Sequence, residues 1–222
     1  MFPFRRLGLI LLGLPKTILF NLRYLPLRQA VRLPILVSHR VWLKRLGGRV
    51  RIQSETVRTG MIQIGFGDVG IFDQQRARSV WQVTGEVVWR GTARLGHGTK
   101  LSVSGRLEVG DGLQVTAESA LVARRAITLG RGVLVSWDVL VMDTDLHPLL
   151  DETGQQLNED APIVIGDEVW IGARVLVLKG VHLARGTVVA AASTVTRSVE
   201  TPHTLIGGSP AKALREGVRW AE

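Results

Sequence analysis

IGDEVW-IGARVL-VLKGVH-LARGTV-VAAAST, residues 165–194, carries a branched aliphatic residue at every sixth position. The repeated positions are Ile165, Ile171, Val177, Leu183, Val189 and the following Val195. A step of six fits neither an amphipathic helix nor simple strand alternation, but it fits a short strand followed by a tight corner. Three such sides make one coil, and stacked coils bury aliphatic residues against each other. The pattern therefore predicts an all-β solenoid.

An earlier run keeps the same step of six and slips by two at regular intervals, which makes its coils slightly longer than three plain hexapeptides. Its repeated positions are Trp89, Leu95, Leu101, Val109, Val115, Leu121, Leu129, Val135 and Val141. The alternative fold is a β-sandwich with valine-rich strands. Sandwich strands alternate with period two and place turn signals roughly 8–12 residues apart, so the sandwich fits the pattern less well.

One polar, acidic stretch interrupts the repeat between Val141 and Ile165. It reads MDTDLHPLLDETGQQLNEDAP, residues 142–162, and we predict that it is a loop extruded from the solenoid. Long loops in compact domains are uncommon and are often functional. We therefore expect the chemistry of the protein in this loop.

The loop opens with two carboxylates close to an imidazole, in Asp143, Asp145 and His147. A carboxylate that accepts a hydrogen bond from one ring nitrogen leaves the other nitrogen free to take a proton, which is the arrangement of a general base. Taken alone, the same spacing is also typical of solvated polar residues in a surface loop.

The composition limits the chemistry and the organisation of the chain. None of the 222 residues is a cysteine, which excludes disulfides, thiolate metal sites and cysteine nucleophiles. We expect one β-helix domain over residues 55–206, preceded by an extension over residues 1–54 and followed by a terminal segment over residues 207–222.

The basic character of the chain belongs to residues 1–54, which hold eleven Lys or Arg and no Asp or Glu. The apolar run there is interrupted by Pro15, Lys16 and Arg23 and is shorter than the roughly 20 residues that span a bilayer, so we do not expect a transmembrane helix. No A-x-A-like cleavage site follows it, so we expect the segment to be retained in a cytoplasmic protein, with the inner face of the membrane as the alternative location.

Two interpretations of residues 1–54 remain open. We favour a packing arm that covers the first coil or a neighbouring subunit, and the alternative is a basic helix that makes a peripheral contact with anionic lipid. No nucleic-acid-binding motif accompanies the positive charge, and we expect no nucleic-acid partner.

Three segments together resemble the hexapeptide-repeat acetyltransferases, especially the sugar and exopolysaccharide O-acetyltransferases related to the maltose and galactoside enzymes. They are SWDVLVMDTDLHPL (136–149), IVIGDEVWIGARVLVLKGVHLARGTVVAAASTVTRSV (163–199) and IGGSPAKALR (206–215). The resemblance covers roughly residues 89–215. It implies a left-handed parallel β-helix that forms a homotrimer, with active sites between subunits and coenzyme A along the groove. We also expect a helical N-terminal extension and a short C-terminal helix.

The resemblance also implies roles for individual residues. His147 matches the base that deprotonates the acceptor hydroxyl, and Asp145 or Asp143 would orient its ring. Ala173 matches a position whose backbone N–H lies near the thioester oxygen. Trp170 either lines this acyl site or packs its ring on the coil surface.

Further matches concern the donor, acetyl-CoA or another acyl-CoA, and they do not include a metal site. Ala191 matches a position where the pantetheine arm passes close to the backbone, and Pro210 belongs to the family's C-terminal signature beside the cofactor. Arg197, Lys212 and Arg215 match basic positions near the nucleotide phosphates. The alternative for these three residues is a solvated basic surface.

The acceptor is less well defined than the donor. The coil LQVTAESALVARRA, residues 113–126, lacks clear counterparts of the polar residues that hold the sugar in the galactoside and maltose enzymes, and Glu118 is its only acidic candidate. We expect transfer of an acetyl group to a hydroxyl of a sugar or polysaccharide precursor, with N-acylation of an amino sugar as the alternative.

Two alternatives come from other functional classes. A γ-carbonic-anhydrase-like metal site could use His147 and His182, but Thr187 stands where a third histidine is needed, and His97 and His203 have no evident route to it. A β-helix scaffold without catalysis would need neither the loop histidine nor a basic C-terminal groove.

Overall fold

The computed structural model describes residues 3–67, 69–73 and 77–221, without the side chains of residues 3–6. Two helices come first, α1 (Pro3–Tyr24) and α2 (Leu27–Ala30). Strands follow, in chain order: β1 (Ile35–Val37), β2 (Trp42–Leu46), β3 (Arg49–Ile52), β4 (Ile62–Ile64), β5 (Val80–Val83), β6 (Glu86–Trp89), β7 (Ala93–Leu95), β8 (Lys100–Val103), β9 (Arg106–Val109), β10 (Leu113–Val115), β11 (Ala120–Ala123), β12 (Ala126–Leu129), β13 (Leu134–Val135), β14 (Leu140–Met142), β15 (Ile163–Ile165), β16 (Trp170–Ile171), β17 (Leu176–Val177), β18 (His182–Leu183), β19 (Val188–Val189), β20 (Thr194–Val195), β21 (Leu205–Gly208) and β22 (Ala211–Arg215).

The strands form three sheets that are the three sides of a left-handed parallel β-helix. Each coil contributes one strand to each sheet, so every third strand pairs: β7 with β10, β8 with β11 and β9 with β12. Connections between parallel strands are right-handed in nearly all other folds, so the left-handed connections set this fold apart. The predicted fold class is confirmed.

The coils follow the repeat that the sequence shows. Leu101 pairs with Leu121 and Leu121 with Val141, so each of these coils includes one of the regular slips in the repeat. After the loop the slips end, and positions three plain hexapeptides apart pair, such as Ile171 with Val189. These aliphatic side chains point inward and are almost fully buried. Successive aliphatic residues therefore stack along the axis and form one continuous core.

Two boundaries differ from the prediction. Strands β1–β3 already belong to the three sheets, so the solenoid begins at Ile35 and not at residue 55. The C-terminal segment is the strand β22 and not a short helix. It reverses after Gly208 and pairs antiparallel with β21, and this pairing satisfies the backbone groups that a helix would satisfy internally.

Helix α1 covers the N-terminal end of the solenoid. Its Phe20 is fully buried and contacts Trp81 edge to face, with ring centroids 4.8 Å apart. The Trp81 Nε1 donates a hydrogen bond to the Tyr24 hydroxyl at 3.1 Å. Gly13 is required at the closest approach, because a Cβ there would lie 2.4 Å from the Val37 carbonyl oxygen. The expected helical extension is therefore present and packs on the first coil.

Candidate active site

The extruded loop leaves the solenoid after β14 and returns at β15, at the corner between the seven-stranded and the six-stranded sheet. Asp143 fixes the point at which this loop joins the solenoid. The buried Asp143 carboxylate accepts hydrogen bonds from the Arg124 and Arg125 amides, at 2.7 and 2.9 Å. The Ala161 amide donates to the Asp143 carbonyl at 3.1 Å. Both carboxylate oxygens of Asp143 thus bind the preceding coil, and the structure does not bring this carboxylate to the His147 ring.

His147 lies at the exposed outer part of the loop. The residue before it, Leu146, has φ +64°, a left-handed conformation that a branched side chain rarely adopts. The Leu146 amide donates to the buried Thr144 hydroxyl at 2.9 Å, which holds this turn. Strain of this kind is typical of functional sites. Within the described part of the chain the His147 ring makes no hydrogen bond, so both ring nitrogens can meet a substrate.

Asn158 positions the backbone of His147. Its side-chain nitrogen donates to the His147 carbonyl at 3.0 Å and to an Asp145 carboxylate oxygen at 2.8 Å. Its side-chain oxygen accepts from the Leu149 amide at 2.6 Å. The sequence analysis did not single out Asn158. The one available signal was a polar amide late in a loop that opens with the candidate base.

Asp145 connects the loop to the solenoid. Its carboxylate accepts a hydrogen bond from Lys179 Nζ at 2.5 Å, and Lys179 also donates to the Asn158 carbonyl at 2.9 Å. The Lys179 ammonium, followed by the Asn158 amide, holds the pKa of the Asp145 carboxyl below its ordinary value. The Asp145 carboxylate therefore binds Lys179 and the Asn158 side chain, and it makes no hydrogen bond to the His147 ring.

An open, mostly polar cavity of about 330 Å³ lies beside His147. Its lining includes Arg124, Pro148, Asn158 and Asp160. The Arg124 guanidinium is 3.3 Å from an Asp160 carboxylate oxygen, so the charge at this wall is already paired. The cavity suits a hydroxyl-rich molecule better than an apolar one.

A second group of predicted residues lies along another corner, between the nine-stranded and the seven-stranded sheet. Ala173 and Ala191 occupy this corner in consecutive coils, and the Ala192 amide donates to the Ala173 carbonyl at 2.8 Å. Pro210 follows in the next coil, where the neighbouring Ser209 hydroxyl donates to the Thr194 hydroxyl at 3.0 Å. The Ala173 N–H makes no hydrogen bond within the described residues. This corner, which we call the donor edge, offers accessible backbone and small side chains.

The remaining predicted residues lie around this edge or away from it. Trp170 is on the nine-stranded sheet, where its Nε1 donates to Ser136 at 3.2 Å and its ring lies 6.1 Å from the Trp220 ring. Lys212 and Arg215 are exposed on β22, where Lys212 pairs with Gly207 and Arg215 with Leu205, so that Lys212 is the nearer of the two to the donor edge. Arg197 lies at the corner of the extruded loop, in the coil after Lys179.

One chain does not bring the two groups together. His147 lies at one edge of the seven-stranded sheet, and Ala173 and Ala191 lie at the other. Each group therefore has the geometry of half a site.

The alternative metal site has no support in the described residues, because no three or more of their His, Cys, Asp or Glu side chains are grouped so that they could hold an ion. His182 is engaged elsewhere, since its Nδ1 lies 2.9 Å from a Glu200 carboxylate oxygen.

Comparison with known proteins identifies related sequences and structures. No protein-family model matches the chain. The polysialic acid O-acetyltransferase of Escherichia coli O1:K1 is 30% identical over 125 residues, 56% of this chain and 39% of that protein. The galactoside O-acetyltransferase of E. coli K12 is 28% identical over 117 residues, 52% of this chain and 56% of that protein. The crystal structure of the polysialic-acid-specific acetyltransferase NeuO superimposes with a TM-score of 0.57 at 19% identity, over 85% of this chain and 82% of that chain.

These relatives are hexapeptide-repeat acetyltransferases. The match spans about two fifths of the first protein and just over half of the second. The likeness to NeuO shows the fold alone, because the sequence identity is low.

Proposed function

We propose that this chain is a hexapeptide-repeat acetyltransferase that moves an acetyl group from acetyl-CoA to a hydroxyl of a sugar or polysaccharide precursor. The observation that carries the proposal is His147, whose ring is free on a braced loop beside a polar cavity. The sequence similarity to sugar O-acetyltransferases supports the reaction class.

The proposed reaction needs one base. A ring nitrogen of His147 removes the proton from the acceptor hydroxyl as that oxygen attacks the thioester carbonyl carbon. The carbon–sulfur bond then breaks, and the proton passes from the imidazolium to the departing thiolate. Acetyl-CoA supplies the activated acyl group, and the proposed steps call on no metal ion.

The donor edge fits the other half of this reaction. The free Ala173 N–H can donate to the thioester oxygen as negative charge develops there, and such a donor is worth about 3 kcal/mol. The exposed Ala191 leaves room for the pantetheine arm, and Lys212 and Arg215 present cations to the nucleotide phosphates.

We further propose a homotrimer, because His147 and the donor edge lie at opposite edges of one sheet. In a cyclic assembly the loop of one subunit can meet the donor edge of the next, and each interface then completes one site.

The test of this function is calorimetric titration with acetyl-CoA, followed by thiol release with a panel of sugars and amino sugars. We expect wild type and His147→Ala to bind the donor equally, and turnover to fall about 10²–10⁴-fold in the variant. His182→Ala, at a partly exposed histidine outside the loop, is the control and should retain turnover. Absence of donor binding in wild type would contradict the proposal. Turnover only with amino sugars would assign N-acylation instead.

A further inference from the structure

The outward face of helix α1 departs from the usual pattern. A surface helix normally turns its apolar face toward the core and its polar face toward water. In α1 the outward face is aliphatic, with residues that recur every three or four positions and are between 36% and 59% exposed. They are Leu7, Leu11, Leu14, Ile18 and Leu22, and the exposed Leu12 and Leu19 flank them.

The inward face of α1 carries polar side chains beside the buried Phe20, and these polar side chains take the place of a missing strand. The Asn21 side chain donates to the Ile35 carbonyl at 2.7 Å and accepts from the Ile35 amide at 3.2 Å. The Thr17 hydroxyl accepts from the Val37 amide at 2.9 Å, and Lys16 Nζ donates to the Val41 carbonyl at 2.7 Å. These hydrogen bonds explain the polar side chains of the inward face. They do not explain why the opposite face of α1 is aliphatic.

Two more exposed aliphatic residues follow α1 in the chain. Leu27 and Val31, in and directly after α2, are 68% and 67% exposed. We call the outward residues of α1 together with Leu27 and Val31 the N-terminal apolar surface. Isolated exposed aliphatic residues are ordinary, but the continuous row along α1 marks an interaction site.

Cations surround this surface. Arg23, Arg28 and Arg32 are exposed in or beside α1 and α2. The half-exposed Trp42 follows the segment that Lys16 holds, and Lys44 and Arg78 lie over its ring at 5.5 and 5.7 Å. Residues 1–54 contain eleven Lys or Arg and no Asp or Glu. Such a surface attracts an anionic partner, and two copies of it would repel each other.

We infer that the N-terminal apolar surface binds an anionic lipid bilayer, with α1 lying in the plane of the headgroups. Aliphatic residues on one face of a helix, in a segment rich in lysine and arginine, are the features of an interfacial helix. This binding does not depend on the proposed acetyl transfer. It would place the protein at a membrane surface.

A membrane-spanning arrangement of α1 fits the structure less well. Leu7–Tyr24 is long and apolar enough to cross a bilayer by length and composition alone. Crossing would, however, break the bonds of Thr17 and Asn21 to β1 and carry Lys16 and Asn21 into hydrocarbon, where such groups are costly. A helix that lies flat keeps these bonds and buries only its free face.

The test is co-sedimentation of the full chain with vesicles of phosphatidylcholine containing phosphatidylglycerol, compared with phosphatidylcholine alone. The variant Leu11→Gln/Ile18→Gln alters the outward face without touching the bonds to β1. The matched control is Leu150→Gln/Leu214→Gln, at two leucines of similar exposure outside this surface. Thermal unfolding and the molar mass in solution are measured for every protein.

We expect wild type and the control to bind the anionic vesicles, with weaker binding at high salt or without phosphatidylglycerol. The Leu11/Ile18 variant should bind at least about tenfold more weakly with unchanged unfolding. Equal binding by the variant and wild type, or no binding by wild type, would overturn the inference. A lower molar mass in the variant would show that the surface joins copies of this chain and would also overturn it.

Discussion

At the scale of single residues, the position of His147 depends on Asn158. Its amide donates to the His147 carbonyl and to Asp145, and its oxygen accepts from the Leu149 amide. Both donor hydrogens and one acceptor position of the side chain are therefore used on the loop that carries the candidate base. Asn158 touches the backbone and not the ring, so it is a positioning residue.

Asn158→Ala should lower kcat about 10–100-fold with little change in the KM for acetyl-CoA, because a displaced base loses its alignment with the acceptor. The measurement is steady-state kinetics over a range of pH. Gln155→Ala, in the same loop, is the control and should keep its kcat. A purely structural role would instead lower the unfolding temperature and leave kcat per folded molecule unchanged.

The sequence predicted the candidate base but not its support. His147 stood out because a histidine followed two carboxylates in the one stretch that broke the repeat. The spacing could not decide between Asp143 and Asp145, and the structure brings neither carboxylate to the ring. Asp143 binds the amides of the preceding coil, and Asp145 binds Lys179, which lies 34 residues away in sequence. Contacts of this kind depend on which coils are neighbours, and local spacing does not contain that information.

At the scale of elements, the ion pair between Asp145 and Lys179 connects the extruded loop to the solenoid. The lowered pKa of Asp145 means that the folded protein favours the ionised carboxylate. The resulting stabilisation is present above the pKa of the unfolded chain and is lost as the pH falls through the folded value. The partly exposed position of this pair limits its size, because water and salt screen it.

The free energy of unfolding should therefore differ between wild type and Asp145→Asn at neutral pH, with wild type the more stable. The difference should shrink as the pH falls below 3.8, the ordinary value of the carboxyl. Urea titrations across this range measure it, because urea does not screen charge. Asp160→Asn, at the neighbouring ion pair with Arg124, serves as the comparison. A difference that stayed constant down to the lowest pH would contradict the role of the ion pair.

The elements were predicted where the step of six recurs, including the part with regular slips. From residue 89 onward the repeat indicated which aliphatic residues stack from coil to coil, because inward aliphatic residues must pack on each other. Strands β1–β3 were missed, since the long sequence interval between Ile64 of β4 and Val80 of β5 breaks the step of six and hides the period. The C-terminal strand was missed because AKALR has a helix-compatible composition, and the pairing with β21 outweighs that propensity.

At the scale of the whole molecule, the two half-sites predict that subunits share each active site. His147→Ala removes the base, and Ala191→Trp fills the donor edge at a position outside the buried core. Each variant alone should be inactive. Mixed trimers should recover about one third of the wild-type activity, because one of their three interfaces pairs an intact loop with an intact donor edge.

The measurement is turnover of co-expressed variants, separated by two different affinity tags so that only mixed assemblies are assayed. Mixtures of separately purified proteins that never exchange subunits are the control. Recovery of no activity in verified mixed assemblies would place both half-sites of each reaction in one subunit and contradict the shared site.

The cap formed by α1 has a consequence for growth of the stack. Strand β1 is the first strand of the nine-stranded sheet, and the side chains of Thr17 and Asn21 occupy the amides and carbonyls that another coil would pair with. A β-helix is a repeating unit with no intrinsic length, and an open first coil would accept the last coil of another molecule. Two side chains on one helix turn therefore end the stack at β1, and they keep a protein of fixed size from becoming a filament.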